Sequence, residues 1–309
     1  MNPGLFLADL HEKPARLGDL TVADAWGFVE RPARILLLGM GSSHYADLVA
    51  AARLRSRGID AVAELASSDL LPAVGPDTLV VAVSASAGSA ETLAAVDRLG
   101  VPFVAMANKE GPLTERAERV VWMQAGEERG GVACRSFQHT LALLLALESH
   151  LTGAPLPPLG AVAEATADLL DTADAWRPRL AERLLGPSGT HVVAPARRVS
   201  SAFQSALMLR EGPRLQAVGC ETGDWSHVDV YLTKTTDYRM LLLGGSRWEP
   251  QLLDWTSQRG STVVAVGAEV PGAADTLRYR HDGVDDVRLL TETLVAELIA
   301  AHAWIAASA

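Results

Sequence analysis

Arg34-Ile35-Leu36-Leu37-Leu38-Gly39 is followed almost at once by the stretch from Gly41 to Arg57, which stops at Gly58. The first stretch is an uninterrupted apolar run of strand length closed by a glycine. The second reads as a helix, and Gly58 is well suited to the position just past a helix C-terminus. A strand with no polar alternation is buried on both faces, the signature of a parallel sheet covered by helices. Outward from this unit the pattern continues. Asp60–Leu65 and Thr78–Ser84 read as strands, Ala90–Leu99 as a helix, and Val101–Ala107 and Val120–Met123 as two more strands. Ser136–Leu151 is a long apolar helix. About five short strands alternating with helices predict an α/β fold with a parallel sheet.

The proline-dense stretch TGAPLPPL begins at Thr152 and predicts a linker over residues 152–160. It would divide residues 1–151 from residues 161–309. Beyond it Ala161–Leu185 reads as helical, with Ala, Leu and Val on one face, and the alternation restarts. Strands are expected at Thr190–Pro195, Arg239–Gly244 and Thr262–Gly267, and helices at Ser201–Glu211, Glu249–Arg259 and Thr291–Ala307. The strand–turn–helix–strand pattern from Val80 is echoed from Arg239. Two copies of one doubly wound, flavodoxin-like unit follow as the expectation.

Composition narrows the partners. The chain has 309 residues, 49% hydrophobic and 21% charged, enough for full cores. Lys+Arg is 27 against Asp+Glu 37, a formal net charge of −10. That disfavours nucleic acid and anionic membranes as partners, so any anion must be held by a local device. Cys134 and Cys220 match no metal-ligand spacing and form no disulfide framework. No His/Asp/Glu cluster has metal spacing, so neither a metal nor another cofactor is expected. His139 and His302 lie on apolar helices and read as core histidines. The first residues lack the basic and apolar regions of a signal peptide, and no apolar run reaches membrane length, because Glu297 and His302 interrupt the last one. A cytoplasmic protein is expected.

Ligands of open parallel sheets bind beyond the carboxyl ends of the strands, near helix N-termini. Two segments of the first half stand there. One is Gly39-Met40-Gly41-Ser42-Ser43. The other, from Ser84 to Thr92, is Ser-Ala-Ser-Ala-Gly-Ser-Ala-Glu-Thr. Hydroxyls and backbone N–H groups of the second can surround a phosphate without a lysine. The same residues also suit a Ser/Gly-rich turn with Ser89 as helix N-cap. The glycines of the first lack the third glycine of a dinucleotide fingerprint.

These motifs together resemble the SIS (sugar isomerase) family. GMGSS follows one strand, SASAGSAET a later one, and Gly131-Val132-Ala133-Cys134-Arg135-Ser136-Phe137 precedes a long apolar helix. Within the family the likeness is to the isomerase half of the glucosamine-6-phosphate synthases. Asp9-Leu10-His11-Glu12-Lys13-Pro14 is similar to the acidic-Ile-x-Glu-Gln-Pro opening of that group. Ala206-Leu207-Met208-Leu209-Arg210-Glu211 is similar to its Ala-Leu-Lys-Leu-Lys-Glu, and Gly223-Asp224-Trp225-Ser226-His227 to its Gly-Glu-Leu-Lys-His. The resemblance implies two SIS subdomains and a homodimer with shared active sites. It implies phosphate binding by Ser84, Ala85, Ser86 and Ser89. Sugar contacts would come from Gly41, Ser42 and Ser43 and from the backbone of Val132 and Ala133. It makes Glu211 the base at carbon 2, and His227, given across the dimer interface, the ring-opening histidine.

The departures bear on the reaction. The phosphate turn has Ala85 where the family has glutamine, and Met208 stands where it has a lysine. The lysine-bearing C-terminal tail and a preceding glutaminase domain are not in this sequence, which argues against glutamine-dependent amino transfer. A carboxylate in a small-residue pocket can have a raised pKa and act as a base, and an imidazole can exchange protons with a ring oxygen near neutral pH. Without the resemblance, Glu211 would read as a surface carboxylate paired with Arg210 or Arg214. From a carbon-2 carbanion, isomerisation or deamination of an amino-sugar 6-phosphate follows. Alternatives are β-elimination of the carbon-3 oxygen from an N-acetylhexosamine 6-phosphate, and a non-catalytic sugar-phosphate sensor. Of the tryptophans, Trp225 beside His227 is the one expected to line a site.

Overall fold

The computed structural model describes residues 1–308. Two helices open the chain, α1 (Pro3–His11) and α2 (Lys13–Asp19). The first series is β1 (Arg34–Gly39), α3 (Ser42–Ser56), β2 (Ala61–Leu65), β3 (Thr78–Val83), α4 (Ala90–Leu99), β4 (Val104–Ala107), α5 (Pro112–Arg116), β5 (Arg119–Trp122) and α6 (Arg135–Thr152). After α7 (Leu159–Asp171) and α8 (Ala173–Leu184) comes the second series: β6 (Thr190–Ala194), α9 (Val199–Glu211), β7 (Ala217–Glu221), β8 (Arg239–Leu243), α10 (Glu249–Gln258), β9 (Thr262–Val266) and β10 (Asp275–Leu277). The helices α11 (Asp285–Thr291) and α12 (Thr293–Ser308) follow.

Both sheets have five strands, all parallel, in the orders β2-β1-β3-β4-β5 and β10-β9-β8-β6-β7. Numbered within its own series, each sheet reads 2-1-3-4-5, the flavodoxin-like order. The expected doubly wound α/β architecture is therefore present twice. Ile35, Leu36, Leu37 and Leu38 have no solvent exposure, as a central strand between helical layers requires. Burial of each such side chain contributes about 1.5–3 kcal/mol.

The chain forms two compact units that are not contiguous halves. One, built on the first sheet, contains Arg16–Glu127 and Arg135–Pro157. The other, built on the second sheet, contains Met1–Ala15, Glu128–Cys134 and the chain from Pro158 onward. In this second unit α1 packs on α12, and the opening motif explains why. Lys13 and Glu297, both fully buried, form an ion pair. A charge this deep persists only when paired. The polar interruption of the last apolar run is thus the acceptor for a buried lysine.

Three local details refine or correct the expectations. Ala161–Leu185 is helical and divides into two helices. The chain breaks at Thr172, whose Oγ1 donates to the Asp168 carbonyl at 2.7 Å, and Pro178 then removes one helical donor within α8. Strands β7 and β10 lie where no strand was expected. Finally, Asp285–Ser308 does have the length and apolarity of a membrane span, but 72% of its apolar window is buried within the protein, as in a core helix.

Candidate active site

The crevice of the first sheet opens where the strand order reverses, between β1 and β3, and the two hydroxyl-rich segments lie there. After β1 the backbone turns sharply at Gly41, with φ +51° and ψ −124°, a conformation suited to glycine. Helix α3 then starts at Ser42 with no side-chain cap. Ser42 and Ser43 are half-buried. Gly39 is required by close approach. A Cβ there would lie 2.7 Å from Asp47 Oδ2 and 2.9 Å from the His44 amide nitrogen. Asp47 itself is fully buried, neither oxygen has a hydrogen-bond partner among the described residues, and burial pushes its pKa well up, which favours the neutral acid under the turn.

After β3, Ser84 is buried and Ser86 exposed, with their hydroxyls 3.4 Å apart. Ser86 Oγ accepts from the Gly88 amide at 3.3 Å. Ala87 has a positive φ of 52°, unusual for a residue with a side chain, and its amide donates to the Ser84 carbonyl at 2.9 Å. Such strain gathers at functional turns. Ser89 is the N-cap of α4, accepting from the Thr92 amide at 3.3 Å and donating to Glu91 at 2.9 Å. The capping role and the cluster of hydroxyls therefore coexist in one turn. The Ala85 carbonyl accepts from the Asn108 amide at 3.1 Å, which ties the turn to the end of β4.

Val132, Ala133, Glu211 and His227 belong to the second-sheet unit. The Glu128–Cys134 segment is held from several sides. Its Gly130 amide donates to Asp9 Oδ2 at 2.6 Å, Arg129 pairs with Glu12 at 3.0 Å, and Glu128 Oε1 accepts from the Cys134 amide at 2.7 Å. Gln204, fully buried on α9, donates to the Ala133 carbonyl at 2.9 Å. The Asp9–Lys13 motif and Gln204 thus fix the Val132–Ala133 backbone. Neither Gln204 nor Glu128 stands out in the sequence as a functional residue. Gln204 and Glu211 are seven residues apart, on one face of α9, and that spacing was the available signal.

Glu211 is the last residue of α9 and is half-buried. No ion pair reaches it among the described residues. Arg210 instead donates back to the Ala206 carbonyl at 3.3 Å. Burial, and then the nearby Glu128 carboxylate, raise the Glu211 pKa above the ordinary glutamate range. Met208, in the position of the family's lysine, sits 3.6 Å from Gln204 through its sulfur. His227 is exposed at the end of the Asp224–Ser226 turn. The expectation for Trp225 is corrected: its ring is fully buried in the core beneath the turn, because its indole has found an internal acceptor in Tyr238 at 2.7 Å.

The equivalent crevice of the second sheet, between β6 and β8, is filled by the chain's own charges. The amides of Gly245 and Ser246 both donate to Glu249 Oε1, the second at 2.6 Å. Arg198, fully buried, pairs with Glu292 at 3.1 Å and with Asp285, and donates to the Gly244 carbonyl at 2.6 Å. Arg288 donates to the Gly267 carbonyl at 2.6 Å.

Comparison with known proteins places this geometry. Residues 28–149 match the SIS domain family. A glutamine–fructose-6-phosphate aminotransferase (isomerizing) of Aeropyrum pernix is 27% identical over 258 residues, which span 75% of this chain and 42% of that relative. A second such relative, from Sulfurisphaera tokodaii, is likewise covered over 42% of its length, so the chain spans about two fifths of these curated proteins. In structure, the C-terminal domain of glucosamine-fructose-6-phosphate aminotransferase from Francisella tularensis superposes with a TM-score of 0.82 at 17% identity, covering 97% of this chain and 95% of the other. A glucosamine-6-phosphate deaminase from Thermotoga maritima gives 0.79 at 17% identity, covering 99% and 95%. At these identities the superpositions establish the shared fold. The chain therefore carries a SIS domain over residues 28–149 and is homologous to the isomerase domain of the glutamine–fructose-6-phosphate aminotransferases.

Proposed function

We propose that the protein is a phosphosugar-processing enzyme of the isomerase or deaminase kind, acting on an amino-sugar 6-phosphate. The observation that carries this reading is Glu211: a half-buried carboxylate without an ion pair among the described residues, with raised proton affinity, at the end of a helix that also holds the Val132–Ala133 backbone through Gln204. A sensor needs the serines but has no use for a base. In this reading Ser84, Ser86, Ser89 and the Ala85 amide hold the phosphate, and Gly41, Ser42 and Ser43 meet the sugar. A net-negative chain then binds an anion through hydroxyls and amides rather than through a field of lysines. His227 passes a proton at the ring oxygen. Glu211 takes the carbon-2 proton of the open-chain sugar, and the C–H electrons form the carbon-1–carbon-2 double bond as the carbonyl oxygen takes up the charge of an enediolate. Return of the proton to carbon 1, with the carbon-2 hydroxyl proton passing to the carbon-1 oxygen, gives the ketose. With an amine on carbon 2 it gives an imine, which water hydrolyses with release of ammonia.

One observation favours a second reading. Met208 and Gln204 make the α9 face beside Glu211 uncharged, which suits an N-acylated substrate whose carbanion expels the carbon-3 oxygen. His227 is flanked by exposed Val228, Tyr231 and Leu232, a surface suited to a second copy of the chain, which supports the homodimer.

The test is Glu211→Gln, assayed on hexose, hexosamine and N-acetylhexosamine 6-phosphates. Turnover should fall by about 10²–10⁴-fold while binding of the sugar phosphate survives. Carbon-2 exchange with deuterated solvent should vanish with it. In the parent, kcat/KM should rise with pH through a limb above the ordinary glutamate value, because the base works deprotonated and its pKa is raised. Unchanged exchange in the variant would remove Glu211 from the reaction. Product mass separates isomerisation from deamination and elimination.

A further inference from the structure

The turn carrying His227 is anchored from below by four side chains whose arrangement exceeds what packing needs. Trp225, two residues before His227, is fully buried and donates to Tyr238 Oη at 2.7 Å. Asp229, two residues after it, accepts from His191 Nδ1 at 3.0 Å and from Tyr238 Oη at 3.4 Å. His191 stacks on Tyr238 with ring centroids 4.1 Å apart. The two ends of the turn therefore converge on one tyrosine hydroxyl. The turn is also closed on itself. The His227 amide donates to the Asp224 carbonyl at 2.8 Å, and Glu221 Oε2 accepts from the amides of Gly223 and Asp224 at 2.7 and 2.9 Å. Above this, the His227 imidazole is exposed and has no hydrogen-bond partner among the described residues.

A free, exposed imidazole on a turn gripped at both ends is the arrangement of a group presented to something outside the unit. A mobile loop would lose that geometry, since proton transfer demands placement to within a fraction of an ångström. We propose that Trp225, Asp229, Tyr238 and His191 are positioning residues that hold His227 in its working orientation. This rests on the proton-transfer role given to His227 above. The four residues touch no substrate; they act through His227.

Tyr238→Phe keeps the stacked ring and removes the shared hydroxyl, and Asp229→Ala removes the acceptor. Each should lower kcat on a ring-closed sugar 6-phosphate about tenfold with KM changed less than about twofold, and neither should add a loss in a His227→Ala background. Asp229→Asn, which still accepts hydrogen bonds, should recover much of the rate. Equal losses with and without His227, or a loss that falls on KM, would make the cluster ordinary core and overturn the proposal. If the parent turns over no sugar phosphate, the enzymatic reading fails, and the anchor is then read by hydrogen exchange alone. The amides of His227 and Val228 should exchange about tenfold faster in Tyr238→Phe than in the parent. Unchanged exchange would overturn the anchor irrespective of activity.

Discussion

Asp47 is the residue at which local energetics and the candidate site collide. Its carboxyl lies against Gly39, directly under the turn that presents Ser42 and Ser43, with no partner for either oxygen among the described residues. Burial raises its proton affinity in the folded chain above that in the unfolded chain, where an Asp releases its proton at about pH 4. Raised folded-state pKa in an acid means that stability falls as pH climbs from that point toward the folded value. Asp47→Asn abolishes the titration while keeping the shape. The variant should match the parent near pH 4 and exceed it by a margin that widens toward pH 8, as read from urea midpoints. A constant difference at both pH values would assign the cost to packing instead. The tolerance of such a penalty beneath a hydroxyl-rich turn fits the general trade of stability for function at sites.

Among the elements, the α1 helix and the Glu128–Cys134 segment are mutually dependent. A Cβ on Gly130 would lie 2.5 Å from Phe6 Cα and 2.6 Å from its amide nitrogen, so main chain meets main chain with no side chain able to yield. Gly130→Ala should therefore push the helix off and cost about 1–3 kcal/mol, with loss of the Asp9 to Gly130 bond visible as a faster-exchanging Gly130 amide. A neutral substitution would show that the two segments move apart freely. The same elements show where sequence reading reaches its limit. Past their first residues (Arg34, Thr78 and Arg239) β1, β3 and β8 carry no polar side chain and declare themselves, because a doubly covered strand has no polar face to hide. β7, Ala-Val-Gly-Cys-Glu, is an edge strand with Gly219 and Glu221 in it, and β10 is three residues long, so neither has a pattern to read. The hydroxyl turns are legible because their chemistry is local. The fixing of Val132 and Ala133 by Asp9 and Gln204 is not, because each bond joins residues far apart in sequence.

For the molecule as a whole, the homodimer proposed above has a direct consequence when sites are shared. Glu211→Gln and His227→Ala chains are each expected to be impaired alone. If Glu211 of one copy works with His227 of the second copy, mixing and re-equilibrating them should create heterodimers with one intact site. Recovery would reach about a quarter of parental activity from equal amounts. No recovery, with heterodimers verified by mass, would confine each site to one chain.

The duplicated topology also bears on how many anions the chain can take. Both sheets reverse strand order to form a crevice, but at the second one Glu249 occupies the amides of Gly245 and Ser246. A carboxylate tethered three or four residues away is present at an effective concentration that free phosphate does not match. With the phosphate proposed at the Ser84–Ser89 turn, the stoichiometry expected from calorimetry is one anion per chain, the second crevice being closed by a single glutamate acting as an internal competitor rather than by any loss of the fold that could have made it two.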